Sequence, residues 1–117
     1  MDVEPPDIVV ACVDPLGRSI AARRRRWDEH VIARHPEIAS HAEAVRATLT
    51  APDFIVTDFD NPDGLNYYRF GVLPPPYSRL YLKVVVSFRG SGSPAVGDVI
   101  TVYSTGRIAR GEVQQWP

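Results

Sequence analysis

The stretch Leu80-Tyr81-Leu82-Lys83-Val84-Val85-Val86-Ser87-Phe88 decides the fold, because its residues sort by parity. Leu80, Leu82, Val84, Val86 and Phe88 fall on one side of an extended chain; Tyr81, Lys83, Val85, Ser87 and then Arg89 fall on the other. Successive side chains of a strand point to opposite faces, so a period of two predicts a strand with one apolar face. Residues 99–105 repeat the alternation, with Ile100 and Val102 inward and Thr101, Tyr103 and Thr105 outward. Residues 65–71 place Tyr67 and Arg69 on the outer side and Phe70 inward, with Val72 following inward, and residues 54–59 supply one more strand. Asp60-Asn61-Pro62-Asp63-Gly64, Pro74-Pro75-Pro76 and residues 90–97 are turn chemistry between them. A four-stranded antiparallel meander is the expectation.

Upstream, Ile8–Val13 reads as a strand, Asp14-Pro15-Leu16-Gly17 as a turn and residues 18–22 as the return strand of a hairpin. Residues 27–35 predict a first helix, with Trp27, Val31 and Arg34/His35 on one stripe, and Pro36 stops it. Ser40-x-x-Glu43 has the form of a capping box, opening a second helix over 41–49 with Ala42, Val45 and Leu49 inward. The predicted fold class is therefore α+β: an N-terminal hairpin or strand, two helices, then a four-stranded antiparallel sheet with the helices packed on one face.

The 117 residues fit one domain spanning 1–117, with 1–6 and 112–117 expected as tails. Hydrophobic (44%) and charged (23%) fractions are those of a globular chain, which excludes the disordered class. The single Cys12 excludes an internal disulfide framework and a zinc site built on cysteines. Neither the basic start of a signal peptide nor an apolar stretch of membrane-spanning length is present, so a cytoplasmic protein with no membrane partner is expected. The net charge of −1 hides strong segregation: −4 over residues 1–17, +5 over 18–26, −6 over 27–63, +5 over 64–111 and −1 over 112–117. The sheet and the run Arg23-Arg24-Arg25-Arg26 are thus basic. A block of like charge is either a phosphate-binding surface or a solvated linker, and the sequence leaves both open.

The outer sheet face carries the expected chemistry. Tyr67, Arg69, Tyr81, Lys83, Arg89, Thr101, Tyr103 and Thr105 combine tyrosines and cations with no acid, a surface suited to phosphates and to base stacking. Three histidines lie at 30, 35 and 41, with Arg34 between the first two. RNA cleavage by attack of the 2′-hydroxyl needs a proton acceptor, a cation at the phosphorane-like transition state and a proton donor. His30 or His35 can serve as base or acid, and Arg34 and Lys83 can supply the cation. His41, in the first turn of the second helix, reads as a surface residue. No cofactor is expected: the histidines lack the spacing of a shared metal site, and Asp58, Asp60 and Asp63 lack the register of a calcium loop.

The run from Trp27 to Ile38, Trp-Asp-Glu-His-Val-Ile-Ala-Arg-His-Pro-Glu-Ile, resembles the "W-x-x-H-I-x-x-R-H-P-E-L" opening helix of phage-associated nuclease-like domains. These belong to the barnase–EndoU–colicin–RelE-like ribonuclease superfamily. Leu49-Thr50-Ala51-Pro52-Asp53-Phe54-Ile55, Tyr68, Lys83-Val84-Val85-Val86 and Ile100-Thr101-Val102-Tyr103-Ser104-Thr105 are similar to its later segments, so the resemblance spans about residues 27–105. It implies an α+β ribonuclease-like fold and metal-independent RNA cleavage, usually by a toxin or effector held in check by a cognate inhibitor. It favours His30, Arg34, His35, Thr101, Tyr103 and Thr105 as site residues. The expected function is an endoribonuclease that leaves a 2′,3′-cyclic phosphate. The alternatives are a non-catalytic RNA- or protein-binding module of the same fold, or a prophage accessory protein that docks a partner on the outer sheet face.

Overall fold

The computed structural model describes residues 7–88, 96–108 and 113–117. The chain begins with a hairpin of β1 (Ile8–Val13) and β2 (Ser19–Arg23). Gly17 closes its turn at φ +84°, a left-handed conformation that a side chain would strain. A single α-turn, α1 (Arg24–Arg26), runs directly into a π-helical turn (Trp27–Ile32), and a 3₁₀ turn (Pro36–Ile38) leads to α2 (Ala42–Thr50). Then follow β3 (Phe54–Thr57), β4 (Gly64–Phe70), β5 (Tyr81–Ser87), β6 (Gly97–Thr105) and β7 (Gln114–Trp116).

The expected four-stranded antiparallel sheet with both helices on one face is incorrect. The seven strands among the described residues form one mixed sheet in the order β1-β2-β6-β5-β4-β3-β7. The hairpin joins it through a parallel pairing of Ile20 with Gly97 and Ala21 with Asp98. Val10, Ile20 and Ala22 are each 1% exposed in the common core, which they share with Val45 and Leu49 of the helix that packs against β1. The close approach at this join requires glycine. A Cβ on Gly97 would come within 2.6 Å of a Val86 methyl carbon and 2.7 Å of the Phe88 ring. At the other edge β7 pairs with β3 through Ile55 and Trp116, so residues 114–116 are part of the sheet and not the expected tail.

The helices also depart from expectation. Residues 27–35 do not make one α-helix; the π turn ends at Ile32, and His35 N–H donates to Val31 O at 2.8 Å to close the next turn. The wider turn buries Trp27 and Val31 together and packs along β6. The Ser40–Glu43 capping box does not form. The 3₁₀ turn continues through a bond from His41 N–H to Ile38 O, so α2 starts one residue late, with His41 at its N-cap. Only α2 lies across the sheet, against β1, β4 and β5, with Val45, Thr48 and Leu49 buried. The buried Thr48 hydroxyl donates to Ala44 O at 2.8 Å, so it enters the core with its bond made.

Two corrections of strand phase follow from the register. Tyr67 pairs with Val84 and Arg69 with Leu82, so both stand on the α2 face, and Tyr68 and Phe70 stand on the opposite one. In β6 a bulge at Ile100 breaks the alternation: Val85 pairs with Thr101 but Val86 with Val99, and Val99 takes the core position expected for Ile100. No helix among the described residues is long and apolar enough to cross a membrane.

Candidate functional site

Opposite positions on adjacent strands carry side chains to the same face, so the register builds rows. One row crosses four strands on the face away from α2: Phe54 of β3, Tyr68 of β4, Lys83 of β5 and Tyr103 of β6. The next row toward one end of β5 reads Phe70, Tyr81, Thr105, and toward the other end Asn66, Val85, Thr101. The aromatic rings interlock across these rows. Phe54 stacks on Tyr68 (5.2 Å between centroids), and Tyr81 meets the edges or faces of Phe54, Tyr68 and Phe70 at 5.3–6.0 Å.

This face is not the open surface expected. Tyr68 is fully buried, Asn66 is 2% exposed, Val85 6% and Lys83 7%. An alkyl ammonium buried this far needs compensation, and the flanking phenols provide it. The Lys83 Nζ stands 5.4 Å from both the Tyr68 and the Tyr103 ring centroids and hydrogen-bonds to both side chains. Burial on its own pulls the ammonium pKa down, but the bonds to Tyr68 and Tyr103 outweigh it and raise the pKa above the ordinary value of 10.5. Lys83 is therefore a fixed cation at neutral pH, suited to stabilising negative charge and not to accepting a proton. A phenol oxygen that accepts from an ammonium still carries its own proton to donate.

The row ends at an imidazole. His35 stacks on Tyr103 with centroids 5.3 Å apart and planes 28° from parallel. The parallel join holds β2 against only the first residues of β6, which leaves the later part of β6 as the place where the helical turn packs. The turn then delivers His35 onto the row from the sheet's side. Its Nδ1 lies 3.8 Å from Glu37 Oε2, with the two side chains 31% and 19% exposed. That separation is longer than a hydrogen bond. Exposure thus rises along the row from Tyr68 through Lys83 to Tyr103 and His35.

The structure brings His35, Lys83 and Tyr103 together, with Tyr81, Thr101 and Thr105 on neighbouring rows of the same face. The Thr105 hydroxyl is taken up locally, donating to Arg107 O at 3.0 Å. Tyr67 and Arg69 do not belong to this site. Tyr67 is fully buried under α2 and its hydroxyl donates to Asp14 Oδ2 at 2.6 Å. Arg69 donates to Ala47 O and Ala51 O, capping the C-terminus of α2 with a cation where the helix dipole favours one. His30 and Arg34 are exposed, and His30 lines a separate depression with Arg23, Arg25, Arg26 and Glu29. Arg89 lies outside the described residues.

Two members of the cluster are additions to the residues expected: Tyr68 and Glu37. Tyr68 is hidden in sequence by the doublet Tyr67-Tyr68, whose members are chemically identical and opposite in facing. Glu37 was signalled only by its place two residues after His35. Among the described residues no three His, Cys, Asp or Glu side chains come together in a way that could hold a metal ion. No family model matches the chain, and neither curated proteins nor solved structures match it.

Proposed function

We propose that the chain is an endoribonuclease whose reacting phosphodiester sits at the Tyr103–Lys83–His35 end of the row, with no metal ion required. The observation that carries this reading is the pairing of a fixed ammonium with a stacked imidazole: Lys83 hydrogen-bonds to Tyr103, and His35 stacks on that same ring. His35, its Nδ1 beside Glu37, takes the 2′-hydroxyl proton as the 2′-oxygen attacks phosphorus. Lys83 offsets the charge that builds on the phosphoryl oxygens. The bond to the 5′-oxygen breaks, and that oxygen leaves with the Tyr103 hydroxyl proton. The phenolate left behind is stabilised by the Lys83 ammonium and regains its proton from the imidazolium. The resemblance of residues 27–38 to phage-associated nuclease-like domains supports the same chemistry and a toxin or effector role. Its substrate would be cytoplasmic RNA, and a cognate inhibitor would cover the exposed His35 end.

The test is incubation of the purified chain, with EDTA, with end-labelled RNA. The expected product is a 2′,3′-cyclic phosphate, lost in His35→Ala, with growth arrest on expression lost in the same variant. Intact RNA with wild-type protein, and equal growth for wild type and variant, defeats the reading. A second reading, RNA binding without cleavage, is favoured by His30 lying outside the row, which leaves the cluster one imidazole. It predicts retained binding and no cyclic phosphate.

A further inference from the structure

We propose that the depression beside the arginine turn binds a phosphate of the RNA backbone at a distance from the reacting bond; the inference rests on the ribonuclease reading above. Arg23 at the end of β2, Arg25 and Arg26 of α1, and Glu29 and His30 of the π turn line one concavity. Three guanidiniums and an imidazole therefore converge with one carboxylate.

The ion pairs around it leave binding capacity. Arg23 contacts Asp98 Oδ1 through Nε at 3.2 Å, and Arg25 contacts Glu29 Oε1 through Nε at 3.4 Å. In both pairs the bond is made by Nε, and the terminal Nη groups complete the fork that matches phosphate oxygens. The Arg23 and Arg25 side chains are 67% and 88% exposed, so an incoming anion meets them from solvent. Asp7, whose carbonyl accepts from Arg24 N–H at 2.6 Å, Asp28, Glu29 and Asp98 are the acids nearby. Of these only Glu29 lines the concavity that Arg23, Arg25, Arg26 and His30 share. Crowded like charges repel one another, and a bound phosphate relieves that repulsion.

The position is also productive. The arginine turn is continuous with the π turn that leads to His35. Arg26 and His35 are nine positions apart, so at α-helical rise the path between them spans at most on the order of 13 Å. A strand lying along this run keeps its reacting phosphate at Tyr103 and a phosphate a few nucleotides away in the depression. A dinucleotide reaches only the first.

The chemistry recognised is a phosphoryl group, which a polynucleotide or a free phosphate ion can present, and the experiment separates them. The double variant Arg25→Ala/Arg26→Ala is compared with wild type in cleavage of a dinucleotide and of a long single-stranded RNA. Binding of the long RNA is followed by fluorescence anisotropy across a salt series, each protein carrying His35→Ala. Expected are an unchanged kcat/KM on the dinucleotide and a raised KM on the long RNA. The slope of log affinity against log salt should fall by about 0.7 for each phosphate contact removed. Arg26→Glu alone, with an unchanged urea midpoint, should show the same direction and guards against misfolding of the double variant.

Cleavage of both RNAs with unchanged KM and salt slope overturns this inference and leaves the ribonuclease reading standing. Inorganic phosphate that shifts the His30 ring signals in NMR, while the RNA salt slope ignores the arginines, assigns the depression to a free ion and likewise overturns it. Wild-type protein that neither binds nor cuts RNA overturns the functional reading and this inference together.

Discussion

Tyr67 and Tyr68 are neighbours in β4, both with 0% exposure, and they live in different chemistry. Tyr67 gives its hydroxyl to Asp14, whose carboxylate also accepts from Leu16 N–H, Arg18 N–H and Arg18 Nε at 2.8–3.0 Å. That network fastens the β1–β2 turn to the sheet, with the Arg18 guanidinium 5.0 Å from the Phe88 ring centroid. Tyr68 instead bonds to the Lys83 ammonium. Equal burial therefore says nothing about role. One tyrosine completes a carboxylate whose other partners are local, and the other partners the buried cation on which the proposed reaction depends.

Breaking each side of this pair should separate stability from activity. The largest effect is expected from Lys83→Met, which keeps the side-chain length and removes the charge. RNA cleavage should fall by about 100-fold or more, read in a kcat/KM assay on labelled RNA. Tyr67→Phe comes next. Leaving Asp14 with one partner fewer should cost about 1–3 kcal/mol in urea unfolding, with cleavage unchanged. Tyr68→Phe should do the reverse, lowering cleavage by about tenfold while moving the urea midpoint little, since the Lys83–Tyr103 bond remains.

The smallest effect is alkaline. Burial first, and then the hydrogen bond to Asp14, raise the Tyr67 phenol above its ordinary value of 10.0. A group with a raised folded-state pKa keeps its proton in the folded chain after the unfolded chain has released it. The stability it contributes is fully present below pH 10 and is lost as pH rises beyond it. Urea midpoints of wild type and Tyr67→Phe should therefore converge above pH 10, and parallel curves would detach the Tyr67 phenol from stability.

The sequence is legible where residues contrast. In β5 the alternation of Leu82, Val84 and Val86 with Tyr81, Lys83 and Ser87 is strong enough to set the phase, and the structure has that phase. In β4 the doublet Tyr67-Tyr68 offers no contrast, and the apolar Phe70 at the strand's end points the wrong way because it packs on Tyr81. Leu65 and Asn66 carried the right phase with less weight. The bulge at Ile100, the π turn, the polar strand Gln114–Trp116 and the parallel join of Ile20 to Gly97 all depend on distant partners, which local periodicity does not encode. The same limit applies to the site. His35, Lys83 and Tyr103 are legible from residue chemistry, strand alternation and the resemblance, whereas the separation of His30 from His35 follows from where the helical turn packs.

The two-residue parallel join also bears on the order of assembly. Ile20 and Gly97 are 77 positions apart, so closing that loop costs more chain entropy than pairing β4 with β5 or β5 with β6. The Tyr68–Lys83–Tyr103 row can thus form while the hairpin and its arginine turn are still searching for β6. The Lys83 cation would then be in place before the arginine turn and the His35 that follows it. Because a Cβ on Gly97 would meet Val86 and Phe88, a Gly97→Ala change should slow the pairing of β6 with β5 and every later step with it.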